Sequence, residues 1–411
     1  MVARQRPRIA VTAVAAAYFV LLLVTQAGRA AEFETPPTAS ARAILGSKAE
    51  GSNYYVDDEV LNDGFLEVFT LVTDYGRFTV QGRALVDRRL DELRAIEAIE
   101  KISKSKAFAN ALAKSATAPV RLAADAVKDP VNTVKQTLTG VGAFFDRAAS
   151  GLRNVGSDSD GIVESALGVS AAKRQIAYEL GVDPYTDFEP LATRLDELAR
   201  ATAAGGLLPK AAFSAVGGVM GTALSSTSTV ESVRVLVRDK TPAQLQDLNR
   251  ARLKEMGVGK AAAGRFLNNV FYTPTDRAAL VAALRDLRGV KNRGLYIDRA
   301  AQANRRDLAF FLVRRAELIA EYQKTTGAIA RFVSLSRIPL NQLKDGRVMA
   351  VMPFDQLALT ETVSRTLIAV TEDMHKLKGS PAGELRITGQ VTEKVRQRLG
   401  ELGWTVAERG P

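Results

Sequence analysis

The sequence contains no cysteine and a single histidine, His375, among its 411 residues. Without cysteine, the chain cannot build a disulfide framework, a thiolate zinc site or a lipid-modified cysteine anchor. With one histidine, Ser-His-Asp catalysis would depend on His375 alone. That histidine falls near the C-terminal end of a predicted helix, where a positive charge interacts favourably with the helix dipole. We interpret it as structural and expect neither a metal site nor a cofactor.

Aromatic side chains are also scarce, at 6% of the residues, and Trp404 is the only tryptophan. Sites that cleave glycans usually present aromatic platforms, so this scarcity argues against such an enzyme. Carboxylates can still act as general acid and base without histidine. A periplasmic hydrolase therefore remains the alternative to a protein without catalytic activity, and it would use some of six aspartates: Asp57, Asp58, Asp63, Asp74, Asp183 and Asp187.

Long uncharged runs are rare, and the clearest lies near the start of the chain. Arg4, Arg6 and Arg8 precede an uncharged, largely apolar run at residues 9–27, and small residues follow it. This layout predicts that residues 1–30 are a signal peptide or an N-terminal membrane anchor. The run is longer than most cleaved signals and close to the length that spans a bilayer, so cleavage and retention both stay open. Both place the body outside the cytoplasm, in the periplasm or cell envelope.

A second uncharged run covers residues 211–230 and is diluted by serine and threonine. Gly217 and Gly221 have the four-residue spacing that lets two helices approach closely. The pattern favours a buried, closely packed helix. Insertion of this segment into a membrane is the alternative.

Acidic residues are outnumbered, with 45 of them against 56 lysines and arginines. Residues 285–315 hold nine basic and three acidic residues, which is most of the imbalance. Such a stretch can bind anionic lipid or an acidic polymer, or it can be a solvated helix surface. We expect a membrane surface or another envelope protein as the partner, and no nucleic acid. The candidate anion-binding residues are Arg285, Arg288, Lys291, Arg293, Arg305, Arg306, Arg314 and Arg315.

The patterning predicts an α+β protein that is predominantly α-helical. Residues 31–52, rich in small residues and proline, are expected to form a flexible tether. Residues 53–82 predict an antiparallel β-ribbon of two or three strands, because β-branched and aromatic runs alternate with turn residues. Residues 83–345 predict an α-helical body, with helical patterning to about Lys344.

Residues 346–411 predict a small C-terminal βαβαβ module. Its short strand–helix connections imply parallel pairing and right-handed crossovers. Thr388-Gly389, the next helix and Gly403-Trp404 resemble the layout of several small α/β folds, including BRCT-like modules. The resemblance covers turn and cap residues alone, and we carry no function over from it. Taken together, the sequence favours an exported, envelope-associated structural or interaction protein.

Export is directly testable. A reporter that is active only outside the cytoplasm, fused after Glu32, should be active because the leader carries the chain across a membrane. Activity of a matched cytoplasmic reporter instead would overturn this prediction. The mass of the purified chain then distinguishes a cleaved signal from a retained anchor.

Overall fold

The computed structural model describes residues 33–105, 108–109, 162–205, 228–377 and 383–410. The predicted leader, and the uncharged segment's Gly217 and Gly221, lie outside the described residues. The described residues form an α+β fold that is predominantly helical, which confirms the predicted fold class. Among their helices, none is both long and apolar enough to cross a membrane.

Elements are numbered in chain order. The N-terminal half contains β1 (Ala39–Ser40), α1 (Ala41–Leu45), β2 (Tyr54–Val56), β3 (Glu59–Asn62), β4 (Glu67–Thr73), β5 (Gly76–Gln81), α2 (Arg83–Ser103), α3 (Ile162–Leu180) and α4 (Glu189–Gly205). The C-terminal half contains α5 (Ser228–Asp239), α6 (Pro242–Glu255), α7 (Lys260–Leu267), α8 (Pro274–Asp286), α9 (Gly294–Ala300), α10 (Arg306–Thr326), β6 (Ile329–Leu335), β7 (Ile338–Leu343), β8 (Val348–Met352), β9 (Gln356–Leu357), α11 (Glu361–His375), β10 (Gly383–Ile387), β11 (Gln390–Val391), α12 (Glu393–Glu401) and β12 (Trp404–Ala407).

The N-terminal sheet is built around β4. Strand β5 pairs along one side of β4, and β2 and β3 pair in succession along the other, all antiparallel. The apolar residues of β4 alternate, so Phe69 and Leu71 face the core. They pack against α2, whose apolar stripe includes the buried residues Val86, Leu90 and Leu93. Helices α3 and α4 complete this first core.

The segment predicted as a flexible tether is folded from Phe33 onward. Ser40 caps α1 by accepting a hydrogen bond from the Ala43 amide, at 3.4 Å, and Ala41 is buried. Strand β1 pairs with β3, and the Ser40 hydroxyl donates to Asp58 at 2.6 Å. The tether prediction was wrong for residues 33–52, because this segment forms β1 and α1 and contacts partners elsewhere in the chain, among them β3, Asp58 and Leu359.

Two central helices begin with the same sequence signal. Thr241 and Thr273 each cap a helix, α6 and α8, through a capping box, and each is followed by proline at the first helical position. Proline is favoured there because its missing N–H would have no partner in the helix. The helices from α6 to α10 enclose a second core, which also includes Phe332, Met349 and Val351 of the C-terminal sheet.

The C-terminal sheet has the strand order β12-β10-β8-β7-β6. Strands β8, β10 and β12 are parallel, as the βαβαβ pattern predicts. The prediction of helix to about Lys344 was wrong for β6 and β7, which form an antiparallel hairpin. Its two-residue turn, Ser336-Arg337, has positive φ at both positions, 46° and 66°, without the usual glycine or asparagine. The sequence therefore lacks the common hairpin signal.

Both faces of this sheet are covered. Every residue of β8 is buried: Met349 and Val351 face the second core, whereas Val348, Ala350 and Met352 face a third core with α11 and α12. A strand buried on both faces is continuously apolar, as this one is. The C-terminal sheet therefore packs against the helical body on one face and against α11 and α12 on the other.

Trp404 should be essential to the third core. Its ring is 6% exposed, and its Nε1 donates to the Thr371 hydroxyl at 2.9 Å. We expect Trp404→Ala to lower the free energy of unfolding by about 3–5 kcal/mol, measured by chemical denaturation followed by circular dichroism. Trp404→Phe should lose less because it keeps most of the packing. Native fluorescence should be blue-shifted, and emission at the wavelength of a solvated indole would contradict this packing.

Candidate functional site

Charged side chains from four segments meet where α2 contacts the beginnings of α8 and α10. We call this group the charge cluster. It combines three residues of α2, two aspartates from the α3–α4 connection and one residue each from α8 and α10: Arg88, Arg89, Glu92, Asp183, Asp187, Asp276 and Arg306.

Asp276 lies at the centre of the charge cluster, and its side chain has no exposed surface. Its Oδ1 is 3.5 Å from Arg88 Nη1, and its Oδ2 accepts hydrogen bonds from Arg306 and from the Thr273 amide. Burial by itself raises the pKa of Asp276. The two guanidinium groups outweigh burial, so the pKa of Asp276 lies below its usual value and the carboxylate is charged.

Asp187 extends the cluster toward solvent. Arg89 Nη2 donates to its Oδ1 at 2.9 Å, and Arg306 Nε lies 2.9 Å from its Oδ2. Arg89 also donates to Glu92 at 2.6 Å. Burial opposes the charged form of Asp187, but both arginines favour it and its pKa is lowered. Arg306 therefore bridges Asp187 and Asp276.

The pKa of Asp183 is shifted in the opposite direction from those of Asp187 and Asp276. It accepts hydrogen bonds from the hydroxyls of Thr273 and Thr275 and from the Tyr185 amide. Burial and the nearby charge of Asp276 raise the pKa of Asp183. Two carboxyl groups with opposite pKa shifts are typical of acid–base catalysis. Here three protein donors occupy Asp183 and the partner Asp276 is wholly covered, so the arrangement fits a structural clasp better.

The six aspartates predicted for a hydrolase are not brought together. Only Asp183 and Asp187 belong to the charge cluster. Arg77 donates to Asp57 at 2.8 Å, Ser40 to Asp58 and Gln81 to Asp63 at 2.7 Å, all within the N-terminal sheet and its flanking segment. Asp74 lies in the tight turn between β4 and β5.

The predicted basic residues divide into two groups. Five of them already contact acceptors: Arg306 in the charge cluster, Arg305 with Asp307 at 2.7 Å, Arg314 with Glu317 at 3.2 Å, Arg293 with the Leu284 carbonyl at 3.2 Å, and Arg315 with the Val351 and Pro339 carbonyls. Arg285, Arg288 and Lys291 are exposed. The predicted anion site thus keeps only part of its residues.

Arg315 does not belong to any surface site, because it is 2% exposed. Its Nε donates to the Val351 carbonyl at 2.8 Å and its Nη2 to the Pro339 carbonyl at 2.5 Å, beyond the point where β7 and β8 stop pairing. Burial lowers the pKa of Arg315. Its spacing from Leu312 and Ile319, on the apolar stripe of α10, was the sequence signal for an inward-facing side chain.

Tertiary contacts add two more basic residues to the three exposed ones. Arg252 of α6 is partly buried, and this burial, together with the nearby charge of Arg285, lowers the pKa of Arg252. The backbone of Lys291 forms a parallel β-bridge with the backbone of Arg331 in β6. None of the five pairs with a carboxylate among the described residues, although Asp286 and Glu255 are nearby. We call Arg252, Arg285, Arg288, Lys291 and Arg331 the basic surface.

The described part of the chain has no group of three or more histidine, aspartate or glutamate side chains placed to hold a metal ion. An open groove of about 600 Å³ lies beside the turn at residues 46–51, and Arg42 and Glu50 face each other there at 3.6 Å. Comparison with protein-family models, curated proteins and solved structures gives no match for this chain.

The charge cluster should contribute strongly to stability. Asp276→Asn leaves Arg88 and Arg306 without their buried carboxylate, so we expect a loss of about 3–5 kcal/mol in the free energy of unfolding. Asp247→Asn is the matched control, since Asp247 pairs with Arg250 at the surface and should matter little. Equal losses for the two variants would contradict a structural role for the cluster.

Proposed function

We propose that this protein is an exported, envelope-associated interaction protein that binds an anionic surface through the basic surface defined above. The observation that carries the proposal is that Arg252, Arg285, Arg288, Lys291 and Arg331 form no salt bridge among the described residues, although Glu255 and Asp286 are nearby. By contrast, Arg305, Arg306 and Arg314 are each paired with an acidic side chain.

The backbone that carries the basic surface is anchored by packing and by hydrogen bonds. Arg285 lies in the last turn of α8, and the buried residues just before it, Leu280, Val281, Ala283 and Leu284, belong to the second core. The Lys291 amide donates to the Ala330 carbonyl at 3.0 Å, and the Phe332 amide donates to the Lys291 carbonyl at 3.0 Å. Because this backbone is anchored, binding requires little ordering of the main chain, and each lysine or arginine near an anionic membrane contributes about 1 kcal/mol.

The hydrolase is less well supported than binding. It would depend on Asp183, whose raised pKa suits a general acid. Its nearest carboxylate, Asp276, is wholly buried between two arginines and has no open side for a substrate. Membrane insertion through residues 211–230 remains a separate hypothesis that depends on the sequence pattern.

Vesicle sedimentation tests the proposal. The chain from Ala31 onward should bind vesicles that contain phosphatidylglycerol, and binding should weaken as salt rises because exposed charges are screened. The triple variant Arg285→Gln, Arg288→Gln, Lys291→Gln should bind on the order of 100-fold more weakly, since three charges contribute about 1 kcal/mol each. Vesicles of phosphatidylcholine alone should bind neither protein.

The matched control removes three charges elsewhere. The variant Arg365→Gln, Arg396→Gln, Arg398→Gln has the same net charge as the test variant but keeps the basic surface, so it should bind almost as well as the wild type. Equal weakening by the two variants would refute a specific surface. Displacement by a soluble acidic polysaccharide, with weak binding to vesicles, would identify a polymer rather than lipid as the anion.

A further inference from the structure

A second junction joins the N-terminal sheet to the C-terminal sheet, and the carboxyl group of Asp355 lies at its centre. Asp355 follows β8 and is 5% exposed. Its Oδ2 accepts two backbone hydrogen bonds from the N-terminal half, from the Glu67 amide at 3.1 Å and from the Arg83 amide at 3.0 Å. These amides belong to the first residue of β4 and the first residue of α2, so one oxygen holds both elements.

The backbone of Asp355 forms one hydrogen bond to the N-terminal half and one within the C-terminal half. Its amide donates to the Phe65 carbonyl at 3.1 Å, and its carbonyl accepts from the Gln390 amide at 3.1 Å. Gly389 approaches so closely that a Cβ there would lie 1.7 Å from the Asp355 carbonyl oxygen, and only glycine fits. Phe354 packs against Phe65, with ring centroids 5.2 Å apart. The junction therefore depends on close packing around a single acidic side chain.

Charged groups of both signs surround Asp355. Arg83 forms two hydrogen bonds with Glu67, and both face the carboxyl group. Asp87 lies beyond Arg83, and Arg409 lies beyond Gln390 on the C-terminal side. Burial is then the largest influence, and it raises the pKa of Asp355 to about 7 despite the two amide donors.

We propose that Asp355 is a protonation-dependent clasp, which holds the two sheets together more tightly when its carboxyl group is neutral. The neutral group keeps both amide hydrogen bonds without placing a charge in a buried site. The ionised group must remain buried or draw water into the junction. The clasp is independent of the proposed anion binding.

The direction of the effect follows from linkage between protonation and closure. Asp355 titrates near pH 7 when the junction is closed and at the ordinary value of an aspartate when it is open. Closure is therefore strongest at acid pH and weakens as the pH rises through about 7. Between pH 6 and pH 8 the equilibrium constant for opening should rise about tenfold.

Few other groups interfere in this range, since the chain has one histidine and no cysteine. His375 is exposed on α11, and His375→Gln provides a background without histidine. Asp91, Asp183 and Glu317 also have raised pKa values, so the test must report on the junction itself.

Hydrogen exchange measured by mass spectrometry on the full chain provides that local report. After correction for the intrinsic pH dependence of exchange, protection at the Glu67 and Arg83 amides should fall about tenfold from pH 6 to pH 8. In Asp355→Asn the protection should be independent of pH, because the carboxamide oxygen accepts the same hydrogen bonds and does not titrate. Trp404 fluorescence verifies that each variant keeps its C-terminal sheet folded.

Asp373→Asn is the matched control. Hydrogen bonds from Lys376 and Ser336 lower the pKa of Asp373 to about 2, so this carboxylate does not titrate between pH 6 and pH 8. The control should keep the tenfold fall of the wild type. Constant protection in the wild type, or the same fall in Asp355→Asn, would overturn the clasp. If Asp355→Asn does not fold, the pH dependence of the wild type alone decides.

Discussion

The architecture depends on the burial of one charged carboxylate, Asp276, between Arg88 and Arg306. A charge without exposed surface is tolerated only when partners compensate for lost water, and these partners come from α2 and α10, which are far apart in the chain. Asp276 is also the N3 residue of the capping box whose N-cap is Thr273. The start of α8, the path of α2 and the start of α10 must therefore fit together in one arrangement. Asp187 adds the α3–α4 connection to it.

A carboxylate also connects the first described residues to the C-terminal part of the chain. Glu34 accepts a hydrogen bond from the Leu359 amide, and its own amide donates to the Leu359 carbonyl at 3.1 Å. Its carboxylate also accepts from the Thr392 hydroxyl, which caps α12. Glu34 and Asp355 thus join the C-terminal part of the chain to the first described residues and to the N-terminal sheet, respectively. Loosening one junction should therefore affect the other.

Arginine has three distinct roles in this protein, and only one of them is available for binding. Arg306 neutralises buried carboxylates, and Arg315 replaces missing backbone hydrogen bonds between β7 and β8. Arg285 and its neighbours on the basic surface have no such partner among the residues that the structure describes. The number of arginines is thus a poor guide to a binding surface, because carboxylates and backbone carbonyls inside the fold already engage some of them. The proposed anion binding depends on the remainder.

Local sequence determined the elements whose signals are short-range. The threonine caps at 241 and 273, the apolar stripe of α2, and the strand at Trp404 could all be predicted, because period and capping involve residues a few positions apart. Only the tertiary structure decided the β6–β7 hairpin, whose turn lacks glycine, the ordered path of residues 33–52, and the burial of Arg306 and Arg315. It alone added Arg252 and Arg331 to the basic surface. The physical reason is that hydrogen bonds and ion pairs between distant segments leave no periodic signal in the sequence.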